Sequence, residues 1–303
     1  MRNKFASTIT DLAKIRKDIV LLSGDIGNRM FDNYKIVAPE RFYNCGIAEG
    51  SMMSIASGLG LSGMRPFVYT ITPFVTTRCL EQIKIGGCYH KSPITIIGTG
   101  SGLSYSELGA THHSFEDIGI LRTLPDIQLF MPADNIELER CIYNSLDYDG
   151  PSYIRIGKKG EPIIHNENDG KFSHFINHGE NIVIISAGPI IGEAIEASRN
   201  LKGEGIDIAV VSLEKIKPTN KELLMEISNK YSKWIILEEH SIIGGIADSI
   251  LDFLNEHNLF SKIKLYKCGI PDKFLHELGN QEWTRKSISI DAKSIEKKIK
   301  KIV

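Results

Sequence analysis

The chain of 303 residues has no excess of either charge, no long apolar run and no paired-cysteine spacing. Each absence removes a class of function. With 36 Lys and Arg against 37 Asp and Glu, the net charge is −1. No whole-molecule field therefore draws the protein to nucleic acid or to an anionic membrane. The basic end "KKIKKIV" reads as a solvated helix face. No apolar run approaches the ~18 residues that would span a bilayer, and the start "MRNKFASTITDLAKIRKD" lacks the apolar stretch of a secretory signal. The five cysteines, Cys45, Cys79, Cys88, Cys141 and Cys268, are scattered. That argues against a cysteine-bound zinc or a disulfide scaffold and for a reducing, cytoplasmic compartment. Low-complexity tracts, short tandem repeats, GxGxxG and the Walker pattern are also missing; "GTGSG" at Gly98–Gly102 reads as a turn. What remains is an ordinary globular composition, 42% hydrophobic and 24% charged, at a length that favours two domains.

Apolar runs that read as strands alternate with helical patterns along most of the chain. "DIVLLSG", "RPFVYTI", "SPITIIG", "DIQLFMPA" and "PSYIRIG" are strands. "GSMMSIASGLGLSG", "PFVTTRCLEQIKIGGCYH", "EDIGILRTL" and "DNIELERCIYNSLDY" are helices. From Lys158 to about Glu180 the alternation dissolves into a polar, Gly-containing stretch, and then it restarts with "NIVIISAG", "IDIAVVSLEKIKP", "KWIILEEHS" and "KIKLYKCGI" as strands. The expected architecture is α/β: two doubly wound domains with mainly parallel sheets, at 1–165 and 181–303, joined by a linker at 166–180.

Several residues stand where strands end, which is where parallel sheets bind ligands. Glu49 opens a helix after "RFYNCGIA". It either complements the helix dipole or is a carboxylate held among Ile47, Met52, Met53 and Ile55, able to share a proton with a ring nitrogen. His112 and His113 lie in the loop "GATHHSFEDIG", with Glu116 and Asp117 either functional or capping the next helix. Residue types there allow a metal, but the spacing matches no metal motif, and no metal ligand is assigned. Arg155, with Lys158 and Lys159 after it, is either a rim charge or a contact for phosphate or carboxylate. Gly244 and Gly245 open a helix whose amides either meet an anion or pack closely.

Taken together, "RFYNCGIAEGSMMSIASGLGLSGMRPFVYTITPFVTTRCLEQI" and "GATHHSFEDIGILRTLPDIQLFMPADNIELE" resemble the pyrimidine-binding domain of transketolases and deoxyxylulose-phosphate synthases. "LEEHSIIGGIADSI" and "CGIPDKFLHELG" resemble the C-terminal domain of the same enzymes. The resemblance covers nearly the whole chain and is nearest to the C-terminal subunit of split, two-gene transketolases. It implies a thiamine-diphosphate enzyme that transfers a two-carbon ketol unit from a ketose or ketose phosphate to an aldehyde or aldose. Glu49 would hydrogen-bond N1′ of the cofactor's aminopyrimidine and favour its imino tautomer. Phe74 would stack on that ring, Ile71 would give an apolar contact, and Asp25 would lie near the cofactor. His112 would handle hydroxyl protons, with His113 beside it toward substrate, and Arg2 and Arg155 would hold a substrate phosphate.

The departures from the family pattern bear on substrate. A histidine twelve positions before His112 is replaced by Gly100, an aspartate four before it by Leu108, and a phosphate-contacting serine by Arg29, which adds a third arginine to the substrate site. The magnesium–diphosphate motif "GDG…N" has no counterpart, since "SGDIGN" has the wrong spacing. The resemblance therefore implies a partner that supplies diphosphate and Mg2+ binding, an N-terminal subunit, in an α2β2 enzyme whose sites lie at interfaces. Alternatives are a 2-oxo-acid-decarboxylating synthase, the β subunit of a 2-oxo-acid dehydrogenase, or a non-catalytic stabilising subunit.

Overall fold

Strand β1 (Ile19–Ser23) is buried along its whole length, and its side chains alternate between two cores. Val20 and Leu22 pack on one face of the sheet, Ile19 and Leu21 on the other. A strand apolar at every position needs a cover on both faces, and the alternating helices provide it. The computed structural model describes residues 1–165, 170 and 172–303, apart from the side chain of Asn28. The further strands are β2 (Phe42–Asn44), β3 (Arg65–Ile71), β4 (Thr95–Thr99), β5 (Gln128–Phe130), β6 (Ser152–Ile156), β7 (His174–Asn177), β8 (Ile182–Ser186), β9 (Ala209–Ser212), β10 (Lys215–Lys217), β11 (Lys233–Ser241) and β12 (Lys264–Ile270). They form a seven-stranded sheet ordered β10-β5-β6-β4-β3-β1-β2 and a five-stranded sheet ordered β12-β11-β8-β9-β7. All pairs are parallel except β10 on β5 and β7 on β9. The expected pair of doubly wound α/β domains is what the chain folds into.

The sheets are not independent. One continuous core joins Val20, Val68 and Ile96 of the first to Val183, Val211 and Trp234 of the second. The run "IDIAVVSLEKIKP", expected as one strand, divides at Leu213 and Glu214: β9 stays in the second sheet and β10 covers the β5 edge of the first. Glu214 sits between them, buried and paired with Arg140 (Nη2–Oε2 2.6 Å). The stretch 166–180, expected as a linker, contains β7, so the second sheet takes up the chain at His174. The rest of that linker includes residues 166–169 and 171, which lie outside the described residues.

One expected helix is broken. "PFVTTRCLEQIKIGGCYH" becomes a short turn at Thr72–Val75, a 3-10 turn at Thr77–Cys79 and a π-helical stretch at Ile83–Tyr89. The wide π turn brings Gly86 against Ser57, where a Cβ would lie 2.2 Å from the hydroxyl; only glycine permits that approach. The consequence lies upstream, because Phe74 and Arg78 are turned toward the C-terminal ends of the strands.

Candidate active site

Loops from the C-terminal ends of five adjacent parallel strands, β6-β4-β3-β1-β2, carry the candidate residues. Glu49 follows β2 and opens the helix Glu49–Leu61. The turn before it is held by the Asn44 side chain, which accepts from the Gly46 N–H (2.8 Å), and by the Asp25 N–H donating to the Gly46 carbonyl (3.0 Å). The Glu49 side chain is 4% exposed, and its Oε2 accepts from Arg78 Nη1 at 2.7 Å. No described residue hydrogen-bonds its Oε1. Met52 and Met53 are buried as expected, but Ile47 and Ile55 face outward. Ile47 lies on the approach to the helix and Ile55 on its second turn.

From Glu49 a continuous row of side chains leads across the strand ends. The Arg78 guanidinium lies over the Phe74 ring (4.2 Å to the centroid), a cation–π contact. Phe74 meets the His112 ring edge-to-face at 5.3 Å, and His112 meets Tyr105 at 6.0 Å. Lys158 Nζ lies 4.6 Å from the Tyr105 centroid. Arg2 Nε donates to Tyr69 Oη (3.2 Å), and Tyr105 lies close enough to raise the Arg2 pKa, together with Tyr69, against the opposing effect of burial. Arg2, Lys4, Lys158 and Lys159 line a groove of about 400 Å³. Partial burial, and then the charge of His113, hold the His112 pKa below the ordinary imidazole value. At neutral pH it is therefore a neutral ring, able to accept or donate a proton.

Two candidates belong elsewhere. Arg155 is 2% exposed, and its Nε donates to Asp117 Oδ2 (2.8 Å) and its Nη2 to the carbonyls of Ser114 (2.7 Å) and Glu239 (2.9 Å). From within β6 it clasps the histidine loop to β11, buried among its partners. His113 is buried, stacked on Phe115 (4.9 Å) with Nε2 bonded to the Ser106 carbonyl (3.0 Å), so it shapes the loop from beneath. Asp25 is exposed at the rim, and Asn44 Nδ2 reaches it at 3.4 Å. Ile71, the last residue of β3, is buried just before Phe74. Arg29 is exposed on the turn Asn28–Phe31, beside Met30 of the cationic groove.

Sequence reasoning misses three members of the row. Arg78 stands four residues after Phe74, the spacing that puts two side chains on one helical face. Lys158 stands out in the sequence only as a neighbour of Arg155. Tyr105 has no local signal, because its place depends on Gly100. A Cβ built at Gly100 would lie 2.0 Å from the Tyr105 ring, and the backbone there has φ +81°. The departure from histidine at Gly100 thus has a structural counterpart: the Tyr105 ring fills that space. Leu108, the other departure, projects half-exposed from the turn Ser106–Leu108.

Comparison with known proteins agrees with this architecture. The model of the transketolase pyrimidine-binding domain matches residues 1–161, and that of the transketolase C-terminal domain matches residues 173–295. A protein of Phocaeicola vulgatus, named as one of the subunits of an apulose-4-phosphate transketolase, is 32% identical over 277 residues, 90% of this chain and 88% of that protein. A Clostridium protein named 6-deoxy-6-sulfo-D-fructose transketolase subunit SqwH is 27% identical, over 97% of this chain and 92% of its own length. A solved structure described as a split gene transketolase, inactive beta4 tetramer, superposes with TM-score 0.87 at 29% identity, covering 99% of this chain and 96% of its own.

Proposed function

Because this chain belongs to the transketolase family, carrying its pyrimidine-binding and C-terminal domains, we propose that it is the C-terminal subunit of a two-subunit, thiamine-diphosphate-dependent transketolase. The reaction is transfer of a two-carbon ketol unit from a ketose or ketose phosphate to an aldehyde or aldose. The observation that carries this reading is a buried carboxylate, Glu49, beside an open aromatic and imidazole pair, Phe74 and His112.

The residues fit the pyrimidine half of the cofactor. Glu49 is shielded from water yet keeps Oε1 unused toward the open side. Phe74 offers a ring face, Ile71 an apolar floor, and Asp25 a polar rim. When bound, thiamine diphosphate supplies the nucleophilic carbon and the electron sink. Glu49 would hold a proton at the ring nitrogen, and Arg78 orients the carboxylate until then. His112, neutral at working pH, moves a substrate hydroxyl proton. Arg2 and Lys158, with Arg29 near the groove, hold an anionic group of the sugar.

Nothing in the row binds diphosphate or its magnesium, and Ile47, Ile55 and Tyr89 leave apolar side chains exposed near the carboxylate helix and the π turn. On this reading an N-terminal subunit supplies Mg2+ and the diphosphate site and covers that face, in an α2β2 assembly. The solved structure described as an inactive beta4 tetramer of a split gene transketolase is in keeping with a chain that needs its partner. No helix among the described residues is long and apolar enough to cross a membrane, and the five free cysteines accord with a cytoplasmic enzyme.

The test is reconstitution. The chain alone with thiamine diphosphate and Mg2+ should give no ketol transfer, and adding the N-terminal subunit should restore shortening of a ketose phosphate. Glu49→Gln in the reconstituted pair should lower the rate by about 10²-fold or more while leaving assembly intact. An unchanged rate, or carbon dioxide released from a 2-oxo acid in place of transfer, would overturn the proposal.

A further inference from the structure

At the seam between the two sheets lies a second group of side chains, none of which contacts the Glu49–Lys158 row. Glu137 comes from the first turn of the helix Asn135–Leu146, His165 from the chain that follows the first domain, and His174 from the start of β7. Their ligand atoms all lie within 4.8 Å of one another. His165 Nε2 is 2.5 Å from His174 Nε2 and 3.8 Å from Glu137 Oε1.

Asp134 sets the tautomer of His165. Its Oδ1 caps the helix by accepting from the N–H groups of Ile136 (3.0 Å) and Glu137 (2.9 Å). Its Oδ2 accepts from the N–H groups of Ile164 (3.2 Å) and His165 (3.0 Å) and lies 2.9 Å from His165 Nδ1. Its Oδ2 accepts the Nδ1–H of the ring as a further hydrogen bond. The Nε2 lone pair of His165 therefore faces His174. Two imidazole nitrogens this close are bridged either by a hydrogen, as N–H···N, or by a metal ion.

Glu137 distinguishes the two. It is fully buried, and among the described residues its oxygens accept from the Ala133 N–H (2.6 Å) and the Ser212 hydroxyl (2.8 Å). His165 Nε2 lies 3.8 Å from its Oε1, and the Arg140 guanidinium acts on it electrostatically. A hydrogen between the imidazoles joins the two rings alone, whereas a divalent ion joins both rings and the Glu137 Oε1 that lies 3.8 Å from His165 Nε2. Two imidazoles and one carboxylate select an ion of the zinc type over Mg2+ or Ca2+. The Asp134–His165 pair is the carboxylate–histidine arrangement that orients such ligands.

We propose that Glu137, His165 and His174 bind one zinc-type divalent ion, with water as the fourth ligand, tying the first sheet's helix layer to the edge strand of the second. Metal–nitrogen bonds of ~2.0–2.1 Å at tetrahedral angles set the two nitrogens ~3.3 Å apart, so the rings part by a little under 1 Å on binding. His174 also lines an open groove of about 610 Å³, which is a path for the ion. The proposal does not depend on the thiamine reading.

The test uses the full chain, stripped with chelator and titrated with Zn2+ against a chromophoric competitor, then with Co2+ followed by visible absorption. The expected result is one equivalent per chain with a sub-micromolar Kd and a four-coordinate Co2+ band. At 100-fold excess over Kd, the melting temperature should rise by about 5 °C. His165→Gln and His174→Gln should each weaken binding by about 100-fold. Absence of binding by the wild-type chain up to 100 µM would overturn the proposal without any variant. So would zinc binding that survives both substitutions, or a melting temperature that responds to pH but not to metal or chelator, the mark of a shared proton.

Discussion

Glu49 and Gly100 show how differently single residues come by their roles. Glu49 is buried by its own helix start and is then matched by one partner, Arg78. Gly100 matters for what is missing, since the Tyr105 ring occupies the space a side chain would need. Gly100→Ala should therefore destabilise the chain by about 1–3 kcal/mol, through strain at positive φ together with overpacking. Tyr105→Ala in the same chain should relieve the packing part and leave the strain, so the double mutant should lose less than the sum of the singles. Urea unfolding of the four proteins measures this; strict additivity would mean that the ring and the glycine are unrelated. Arg155 and His113 are the residue-scale lesson in the other direction. Their types and positions suited an anion or a proton, yet burial gave both a structural use.

Between elements, the clasps are charged and buried. Arg155 joins β6, the histidine loop and β11 through Asp117 and two carbonyls. Arg155→Met leaves the Asp117 carboxylate buried without its cation, bonded to the Tyr153 hydroxyl alone among described side chains, and should cost about 3–5 kcal/mol. In the reconstituted enzyme, a substrate contact would instead raise KM with little change in unfolding, so denaturation and kinetics together separate the two roles. Glu238, in β11, accepts from the N–H groups of Ile246 (2.7 Å) and Ala247 (3.3 Å) at the start of the helix Ile246–Glu256. Burial raises its pKa to about 7 in spite of those bonds. The folded chain thus holds a proton that the unfolded chain has lost above its ordinary carboxyl value. That contribution is complete below about 4.5, and it drains away as pH rises through about 7. Buried His240 acts in the opposite sense, since burial lowers its pKa and stability falls as pH drops below about 6.5. Glu238→Gln should flatten the decline in stability between pH 5 and pH 8, measured by denaturant midpoints at each pH. An unaltered slope would show that Glu238 does not titrate there.

Across the molecule, the two sheets share a core, and β10 of the second half closes the edge of the first. The chain should therefore unfold in one cooperative transition, with calorimetric and van't Hoff enthalpies in agreement; two resolved transitions would contradict the shared core. The α/β alternation, the extent of β3 and the helix after Glu49 were legible because they rest on local apolar periodicity and on a glutamate at a helix start. Glu49, Phe74 and His112 were legible as a set only through the family motifs, since spacing left each with an ordinary alternative. By itself the sequence determined the layer type, the strand ends at which chemistry gathers, and the lack of a diphosphate motif, because these follow from short-range pattern. Only the tertiary structure decided that Arg155 and His113 turn inward, that Arg78, Tyr105 and Lys158 complete the row, and that Glu137, His165 and His174 converge. Those outcomes depend on which distant segments exclude water from each other, and spacing along a chain carries no record of that.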